Sequence, residues 1–364
     1  DTRDNTRQTT QKQVRAAKGA EASAGSGGAS ESRKVQLANC ADTLDKCSEW
    51  AAAGECQRNP SFMAHSCKAS CGLCSLLEPL ETVPLAGGAT SMPTVGFGTA
   101  GLGELTTEAV TWAYRAGYRH FDSAQAREWY REDLVGQALE GPLKANRAQL
   151  FLTSKLHPRH LGFNTTMAQV QESLRDLHTD YLDLFMLHYP KCWGTLCGGR
   201  QPEGTWQDSW RAMEDLFSQG VIKAIGVSNF GTDELIELAG FAKVKPHVVQ
   251  ANSDPFSQNQ DLQNLCRLNG IQFVAYSSLG TQWQMRGYGE NPVLTHPTIQ
   301  AIAARHGVST AQVVMRWALQ HGQAVIPRSR KQAHIEQNRQ LWGFKLELSE
   351  IEEIDALDGH PPPL

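Results

Sequence analysis

The sequence has no apolar run of 18 residues and no strong excess of charge of either sign. A bilayer-spanning helix needs about 20 consecutive apolar residues, so we expect no membrane span. The formal net charge is −4 and the isoelectric point is near 6.3, which gives no electrostatic basis for binding nucleic acid or an anionic membrane. These absences favour a small neutral or anionic molecule as the ligand.

A G-x-G-x-x-G phosphate turn is also missing after the first predicted strand, although such a turn marks doubly wound nucleotide-binding sheets. The glycine-rich run at residues 96–103 does not have that spacing. A doubly wound open sheet is therefore our alternative fold.

Eight short apolar runs alternate with amphipathic helical patterns over about 285 residues. This rhythm and length are typical of an α/β fold of the (β/α)8 TIM barrel type, which we place at residues 80–364. The predicted strands are residues 95–98, 120–123, 150–155, 182–188, 224–228, 248–252, 272–277 and 324–327.

Polar residues end these otherwise apolar strands, and three successive strands end in Asp122, Lys155 and His188. A buried carboxylate needs a cation or hydrogen bonds, so we expect Asp122 to pair with Lys155. Each residue alone has a structural interpretation, as a buried ion pair or a satisfied core histidine. A barrel carries its chemistry at the C-terminal ends of its strands, so the full ring of polar ends favours catalysis. The other polar ends are Thr99, Ser228, Asn229, Gln250, Tyr276, Ser277, Arg328 and Ser329.

Tyr130 follows Asp122 by eight residues and suggests carbonyl reduction. A phenol has a pKa near 10, and an adjacent ammonium lowers it, so we predict Tyr130 as a general acid assisted by Lys155. Asp122 would hold Lys155, and His188 would donate a hydrogen bond that orients the carbonyl oxygen. No side chain supplies a hydride, so the reaction requires a bound cofactor.

Six of the nine cysteines lie between residues 40 and 74. A piece this small buries too little core to fold unaided, and three disulfides are the usual remedy, which favours an oxidising compartment. The spacing alone leaves their connectivity open. Cys71 and Cys74 form a C-x-x-C pair, but no second pair completes a zinc site and no βαβ context suggests a redox motif, so we predict no metal.

The other three cysteines lie in the predicted barrel. A turn of four residues with a glycine can bring Cys192 and Cys197 within the roughly 4.4–6.8 Å that a disulfide needs between α-carbons, so we predict a fourth bridge. The alternative is a reduced pair that is merely adjacent. We expect Cys266 to be a free, buried thiol on a barrel helix.

Residues 1–34 contain almost no aliphatic side chains and predict a disordered linker. The sequence opens with Asp1 rather than methionine, which fits a removed signal peptide or anchor, or a shortened chain. Asn164 begins an Asn-Thr-Thr sequence that fits both a glycosylation acceptor and the start of a helix.

The cysteine spacing of residues 40–74 resembles the ShKT (sea-anemone-toxin-like) domain, as do Trp50, Gly54, Asn59-Pro60 and Met63. We expect this domain and the barrel to be stabilised separately, one by disulfides and one by its core. The resemblance implies pairing of Cys40 with Cys74, Cys47 with Cys67, and Cys56 with Cys71.

Residues from about 83 to 358 resemble the aldo-keto reductase family. The resemblance implies an NADPH-dependent oxidoreductase that reduces an aldehyde or ketone to an alcohol. The alternative is a redox-sensing or interaction subunit that binds cofactor with little turnover. Six motifs follow the family in order: Gly96-Phe-Gly-Thr, Gly117-Tyr-Arg-His-Phe-Asp122, Leu182-Asp-Leu-Phe-Met-Leu-His188-Tyr-Pro, Gly226-Val-Ser-Asn229-Phe, Ala275-Tyr-Ser-Ser-Leu-Gly and Val325-Ile-Pro-Arg-Ser329.

The resemblance also implies NADPH extended across the barrel mouth. Tyr276 would stack on the nicotinamide, the carboxamide would meet Ser228, Asn229 and Gln250, and the 2′-phosphate would meet Arg328 and Ser329. The full set of implied cofactor-binding residues is Gly98, Thr99, Ala100, Asp122, Ser228, Asn229, Gln250, Tyr276, Ser277, Leu279, Ile326, Pro327, Arg328, Ser329, His334 and Asn338.

The chain departs from the family at three places, one of which is the long C-terminal substrate loop, which is nearly absent here. The loop after Asp122 is two residues longer, so Trp129 competes with Tyr130 for the tyrosine position. An indole has no acidic proton to give, and we therefore choose Tyr130. His334 and Gln337 replace an arginine and a glutamate near the adenosine end, so the preference for NADPH rests on Arg328.

Little sequence follows the last predicted helix, so we expect substrate selection to rest on aromatic loops at residues 129, 189–199 and 281–288, which suit apolar or aromatic groups. The substrate-pocket residues are Trp129, Tyr189 and Trp193. We expect a monomer in the secretory pathway lumen or outside the cell, with the cytoplasm as the alternative.

Overall fold

The computed structural model of the protein describes residue 37 and residues 40–361. The linker predicted at residues 1–34 lies outside these described residues. Within them, no helix is both long enough and apolar enough to cross a bilayer.

Eight parallel strands form one sheet in which sequential neighbours pair from β3 to β10. Val95 pairs in parallel with Val325, and this bridge joins the first strand to the last and closes the barrel. The structure therefore confirms the predicted (β/α)8 barrel. The strands are β3 (Phe97–Gly98), β4 (His120–Asp122), β5 (Phe151–Leu156), β6 (Leu184–Leu187), β7 (Ile225–Ser228), β8 (Val248–Asn252), β9 (Gln272–Tyr276) and β10 (Ala324–Val325).

The first and last strands are shorter than predicted, with residues 97–98 and 324–325 in place of 95–98 and 324–327. A Cβ added to Gly98 would lie 2.7 Å from the carbonyl oxygen of Ile326, so only glycine fits there. Pro327 has no N–H to donate to a ladder, but its carbonyl accepts from the Gly98 N–H at 3.1 Å.

An antiparallel hairpin of β1 (Thr82–Leu85) and β2 (Thr90–Pro93) covers the N-terminal end of the barrel. Its buried Leu85 and Met92 pack against residues that begin the barrel strands, such as Phe151 and Val248. The hairpin thus closes the end opposite the predicted site.

The helices that surround the barrel bury apolar residues against it, and the helix Thr310–Gln320 is buried along residues 312–320. Two of these helices begin with a capping box, which satisfies backbone N–H groups in the first turn. One box is formed by Thr205 and Asp208, and the other by Ser309 and Gln312. The main helices of the barrel domain are Thr106–Arg115, Glu132–Asn146, Phe163–Asp176, Trp206–Ser218, Thr232–Phe241, Gln260–Leu268, Thr281–Met285, Pro292–Thr295, Pro297–His306, Thr310–Gln320, Gln332–Asn338 and Leu348–Asp355.

The cysteine-rich domain consists of three short helices, Cys47–Ala52, Glu55–Arg58 and Pro60–Ser66. Its small core is formed by disulfide cysteines around the buried Met63. The bridges are those that the resemblance implied: Cys40–Cys74, Cys47–Cys67 and Cys56–Cys71.

This domain docks on the barrel helix Gln260–Leu268, which we call the interface helix. Leu268 packs against the disulfide core, and Arg267 donates to the carbonyls of Leu73 and Ser75 at 3.0 and 2.8 Å. The Leu77 N–H also donates to the carbonyl of Gln320 at 3.1 Å. Our expectation of two separately stabilised modules did not include this interface.

Candidate active site

A buried ion pair lies at the C-terminal ends of β4 and β5. Lys155 Nζ lies 2.6 Å from Asp122 Oδ1 and also donates to the carbonyl of Ser123 at 2.9 Å. Gln250 Nε2 donates to the second carboxylate oxygen of Asp122 at 2.9 Å. Both charges are thus compensated in a site from which water is excluded, as burial requires.

The loop after β4 brings Tyr130, and not Trp129, to this pair. The N–H groups of both residues donate to the carbonyl of Ala126 at 2.8 Å, so a tight turn precedes them. The Tyr130 ring centroid lies 5.5 Å from Lys155 Nζ and 5.9 Å from the His188 ring centroid. The Trp129 side chain is 55% exposed, so it lies at the rim.

Burial raises the pKa of Tyr130, and the negative charge of Asp122 raises it further. We had expected Lys155 to lower this pKa, and that expectation needs correction. Because Asp122 neutralises Lys155 at 2.6 Å, the pair exerts little net positive field on the phenol. The hydroxyl therefore stays protonated at neutral pH.

His188 is neutral for a related reason. Burial lowers its pKa well below the ordinary value, and the positive charge of Lys155 lowers it further. Its Nδ1 is buried and has no hydrogen-bond partner among the described residues. A neutral imidazole carries one N–H, which leaves it able to donate a single directed hydrogen bond.

Three polar residues at the ends of β6, β7 and β9 are joined in one network. The Tyr276 hydroxyl donates to Asn229 Oδ1 at 2.6 Å, and Asn229 Nδ2 donates to the carbonyl of His188 at 2.9 Å. Asn229 and Ser277 adopt left-handed backbone conformations, with φ of 60° and 52°. Left-handed conformations at non-glycine residues are uncommon and are held here at the barrel mouth. The Thr99 hydroxyl donates to the carbonyl of Asp122 at 2.9 Å.

The segment after β10 provides a cation at the mouth. Arg328 is exposed, and no carboxylate among the described residues lies within ion-pair distance of it. Its Nη1 lies 3.2 Å from the position of a Cβ added to Gly101, which has φ of 64°. Ser329 is partly buried, His334 is exposed and Asn338 is buried.

The remaining implied cofactor residues also lie around the mouth. Ile326 and Pro327 are buried directly after β10, and Ala100 and Leu279 are partly buried. An unpaired guanidinium and a glycine-lined approach together suit an anionic dinucleotide. The described residues therefore fit the cofactor that the sequence implied.

Aromatic rings form one wall beside His188. The Tyr189 ring stacks on the His188 ring at 4.8 Å, and Trp193 meets Tyr189 edge-on at 6.0 Å. Trp193 is 58% exposed at the rim. A disulfide between Cys192 and Cys197, with α-carbons 5.8 Å apart, closes this loop.

Sequence reasoning missed Glu132, which lies behind the tyrosine loop. Its carboxylate is buried and accepts from Ser154 at 2.5 Å and from Ser173 at 2.9 Å. Ser154 precedes Lys155, so this network ties the loop to the strand of the ion pair. Burial raises the pKa of Glu132 to about 7. No local pattern marks Glu132 as buried, because a glutamate in the first turn of a helix is usually solvated.

A closed parallel barrel with an Asp, Tyr, Lys and His set at its mouth defines a class of oxidoreductases. The model of the Aldo/keto reductase family matches residues 94–359. The chain therefore belongs to the aldo/keto reductase family. A second model, described as ShK domain-like, matches residues 39–74.

Individual relatives agree with this assignment. The glyoxal reductase of Bacillus subtilis is 38% identical over 280 residues, which cover 76% of this chain and 93% of the relative. The NAD(P)H-dependent D-xylose reductase of Candida tenuis is 36% identical, and the match covers 73% of this chain and 90% of that reductase. A crystal structure of a Bombyx mori aldo-keto reductase in complex with NADP superposes with a TM-score of 0.70 and 28% identity. The superposition covers 78% of this chain and 94% of the Bombyx mori chain.

Proposed function

We propose that this protein reduces an aldehyde or ketone to an alcohol with NADPH, and that Tyr130 is the general acid. The observation that carries the proposal is the convergence of Tyr130, Lys155 and His188 around the buried Asp122. Similarity to reductases of small carbonyl compounds supports the substrate class.

The proton transfer follows from the electrostatics of the site. Burial keeps Tyr130 protonated, so it can donate to a carbonyl oxygen that becomes negative as its carbon is reduced. The resulting phenolate would form beside the Asp122–Lys155 pair, with Lys155 Nζ 5.5 Å from the Tyr130 ring centroid. The neutral His188 donates a hydrogen bond to the same oxygen and orients the substrate. When bound, NADPH would supply the hydride for this reduction.

Residues at four strand ends would hold the cofactor. Asn229 and Tyr276, which share a 2.6 Å hydrogen bond, form a polar and aromatic platform for the nicotinamide. The side-chain amide of Gln250 donates to Asp122, and its side-chain oxygen would accept a hydrogen bond from the nicotinamide carboxamide. The exposed Arg328, with Ser329 beside it, suits the 2′-phosphate.

We also propose that the protein works in an oxidising compartment, such as the secretory lumen or the extracellular space. Three disulfides stabilise the small domain, and a fourth closes a barrel loop next to the site. Disulfides persist in such compartments and are rare in the cytosol.

The proposal is tested by the paired variants Tyr130→Phe and Trp129→Phe, assayed by NADPH consumption with methylglyoxal and benzaldehyde. Loss of the general acid should lower kcat by roughly 10² to 10⁴ in Tyr130→Phe. Trp129→Phe should keep kcat near the wild-type value and change KM at most. The opposite pattern would show that Tyr130 is not the proton donor. If the wild type consumes no NADPH with either aldehyde, the proposed activity is wrong.

A further inference from the structure

One sequence motif has no part in the proposed reductase chemistry. Asn164-Thr165-Thr166 is the only Asn-x-Ser/Thr sequence of the chain in which the middle residue is not proline. The similar Asn59-Pro60-Ser61 has proline in the middle, which excludes it as an acceptor of a glycan. In chains that pass through the secretory lumen, this motif marks the acceptor of an N-linked glycan.

Helix capping does not account for the asparagine of this motif. The helix Phe163–Asp176 begins after Gly162, which is its N-cap residue and has φ of 131°. Asn164 is therefore the second helical residue and not the cap. The hydroxyls of Thr165 and Thr166 donate to the carbonyl of Gly162 at 3.1 and 2.6 Å, so the two threonines hold the first turn. Asparagine favours a helix start at the N-cap position, so the fold itself gives no reason for this residue type here.

The exposure of the motif differs between its first and third residues. The Asn164 side chain is exposed, and the preceding Phe163 is 39% exposed. Thr166 is 0% exposed. The enzyme that attaches a glycan needs both the amide of the first residue and the hydroxyl of the third. The folded helix hides this hydroxyl, so the glycan must be attached before the helix packs, and the exposed Asn164 then accommodates it after folding.

The motif lies at the rim of the barrel mouth. One short loop separates it from the C-terminal end of β5, which carries Lys155. The Gly204 N–H donates to the carbonyl of Leu161 at 3.0 Å, which joins this turn to the segment after the Cys192–Cys197 loop. The interface helix follows β8, three strands away in the sheet. A glycan on Asn164 therefore leaves the docking of the cysteine-rich domain undisturbed.

We propose that Asn164 is an N-glycosylation site. Its amide nitrogen bonds to the anomeric carbon of an oligosaccharide that is carried on a lipid diphosphate. The bond between that carbon and the phosphate oxygen breaks, the amide loses one proton, and the lipid diphosphate leaves, with no oxidation or reduction. The modification requires passage through the oxidising compartment proposed above and does not require reductase activity.

The test is secretion of the full chain, behind an added signal peptide, from cultured mammalian cells. The wild type should show reduced mobility on a denaturing gel, and a peptide N-glycosidase should reverse this shift. The glycosidase leaves aspartate in place of the modified asparagine, so mass mapping of the tryptic peptide of residues 160–175 locates the site. Asn164→Gln and Thr166→Ala should lose the shift completely, whereas Thr166→Ser, which keeps the motif, should retain it.

Thr165→Ala is the matched control. It removes a hydrogen bond to the same Gly162 carbonyl as Thr166→Ala does, but it leaves the motif intact and should keep the glycan. Loss of the glycan in Thr166→Ala alone would therefore reflect recognition of the motif and not disruption of the turn. Wild-type protein without a glycan, or a glycan that persists in Asn164→Gln, would overturn the proposal.

Thiol titration of the same secreted protein separates this proposal from that of the compartment. Denatured protein with one free thiol, the Cys266 thiol, but without a glycan would refute glycosylation and leave the oxidising compartment standing. Glycosylated protein with nine free thiols would support Asn164 as the site and contradict the disulfides on which the compartment rests. Glycosylated protein that consumes no NADPH would likewise support the site and reject only the reductase activity.

Discussion

At the scale of single residues, the site owes its properties to burial as much as to residue type. Asp122 and Lys155 are 2% and 0% exposed, so each charge is stable only with its partner. The same burial keeps Tyr130 protonated and His188 neutral, which are the protonation states needed for proton donation and for a directed hydrogen bond.

Glu132 leads to a prediction about pH and stability. Burial is the main cause that raises its pKa from 4.5 to about 7, and the negative charge of Asp176 adds to the shift. Hydrogen bonds from Ser154 and Ser173 and the positive charge of Lys155 oppose it. The folded state therefore binds this proton more tightly than the unfolded state, so this group favours folding below about pH 4.5 and loses that contribution as pH rises to 7. The difference corresponds to about 3 kcal/mol.

Glu132→Gln removes this titration. The free energy of unfolding of the variant, relative to that of the wild type, should rise by about 2.5 kcal/mol when the measurement is moved from about pH 5 to about pH 8. The other titrating groups are common to both proteins and cancel in this comparison. A free-energy difference between variant and wild type that is the same at both pH values would contradict the assignment.

Arg328 leads to a prediction about cofactor choice. A guanidinium grips a phosphate through paired hydrogen bonds, so Arg328→Ala should weaken NADPH binding by roughly ten- to a hundredfold and leave NADH nearly unchanged. Fluorescence titration of both cofactors measures this. Arg330→Ala is the matched control, because Arg330 instead donates to the carbonyl of Leu102 at 3.4 Å. Equal losses of affinity for NADPH and NADH would show that Arg328 does not bind the 2′-phosphate.

At the scale of elements, the loop that follows His188 is closed on itself by the Cys192–Cys197 bridge. Cys266, on the interface helix, is the buried free thiol of the described chain, and burial raises its pKa. Thiol titration should therefore find no reactive thiol in the native protein and one after denaturation. Three thiols would mean that the loop is reduced. Cys266→Ala should abolish the single signal, which identifies its source.

The tyrosine loop shows why an element can be predicted while its detail cannot. The apolar run that ends at Asp122 predicted β4 and a site residue at its end. The two extra residues before Tyr130 left Trp129 and Tyr130 as competitors. A turn in which both N–H groups meet the carbonyl of Ala126 determines which ring points inward, and that turn depends on the packing of the loop against β5.

At the scale of the whole molecule, the cysteine-rich domain and the barrel share the interface helix. Arg267→Met removes charge-assisted hydrogen bonds to Leu73 and Ser75 and should lower the free energy of unfolding by about 1.5–3 kcal/mol with little loss of kcat. Urea unfolding measures the change. Arg211→Met is the control, because its exposed pair with Asp208 contributes less than about 1 kcal/mol. Equal effects of the two substitutions would mean that the Arg267 contacts stabilise the fold no more than an exposed ion pair does.

The sequence by itself determined the barrel, its strands, the residues at their C-terminal ends and the disulfide-rich character of residues 40–74. These features follow from local periodicity and spacing, which are properties of short stretches of chain. Only the tertiary structure decided the neutrality of His188, the raised pKa values of Tyr130 and Glu132, and the docking of Arg267. Burial and partner geometry arise from segments far apart in the chain, and no local pattern encodes which of them meet.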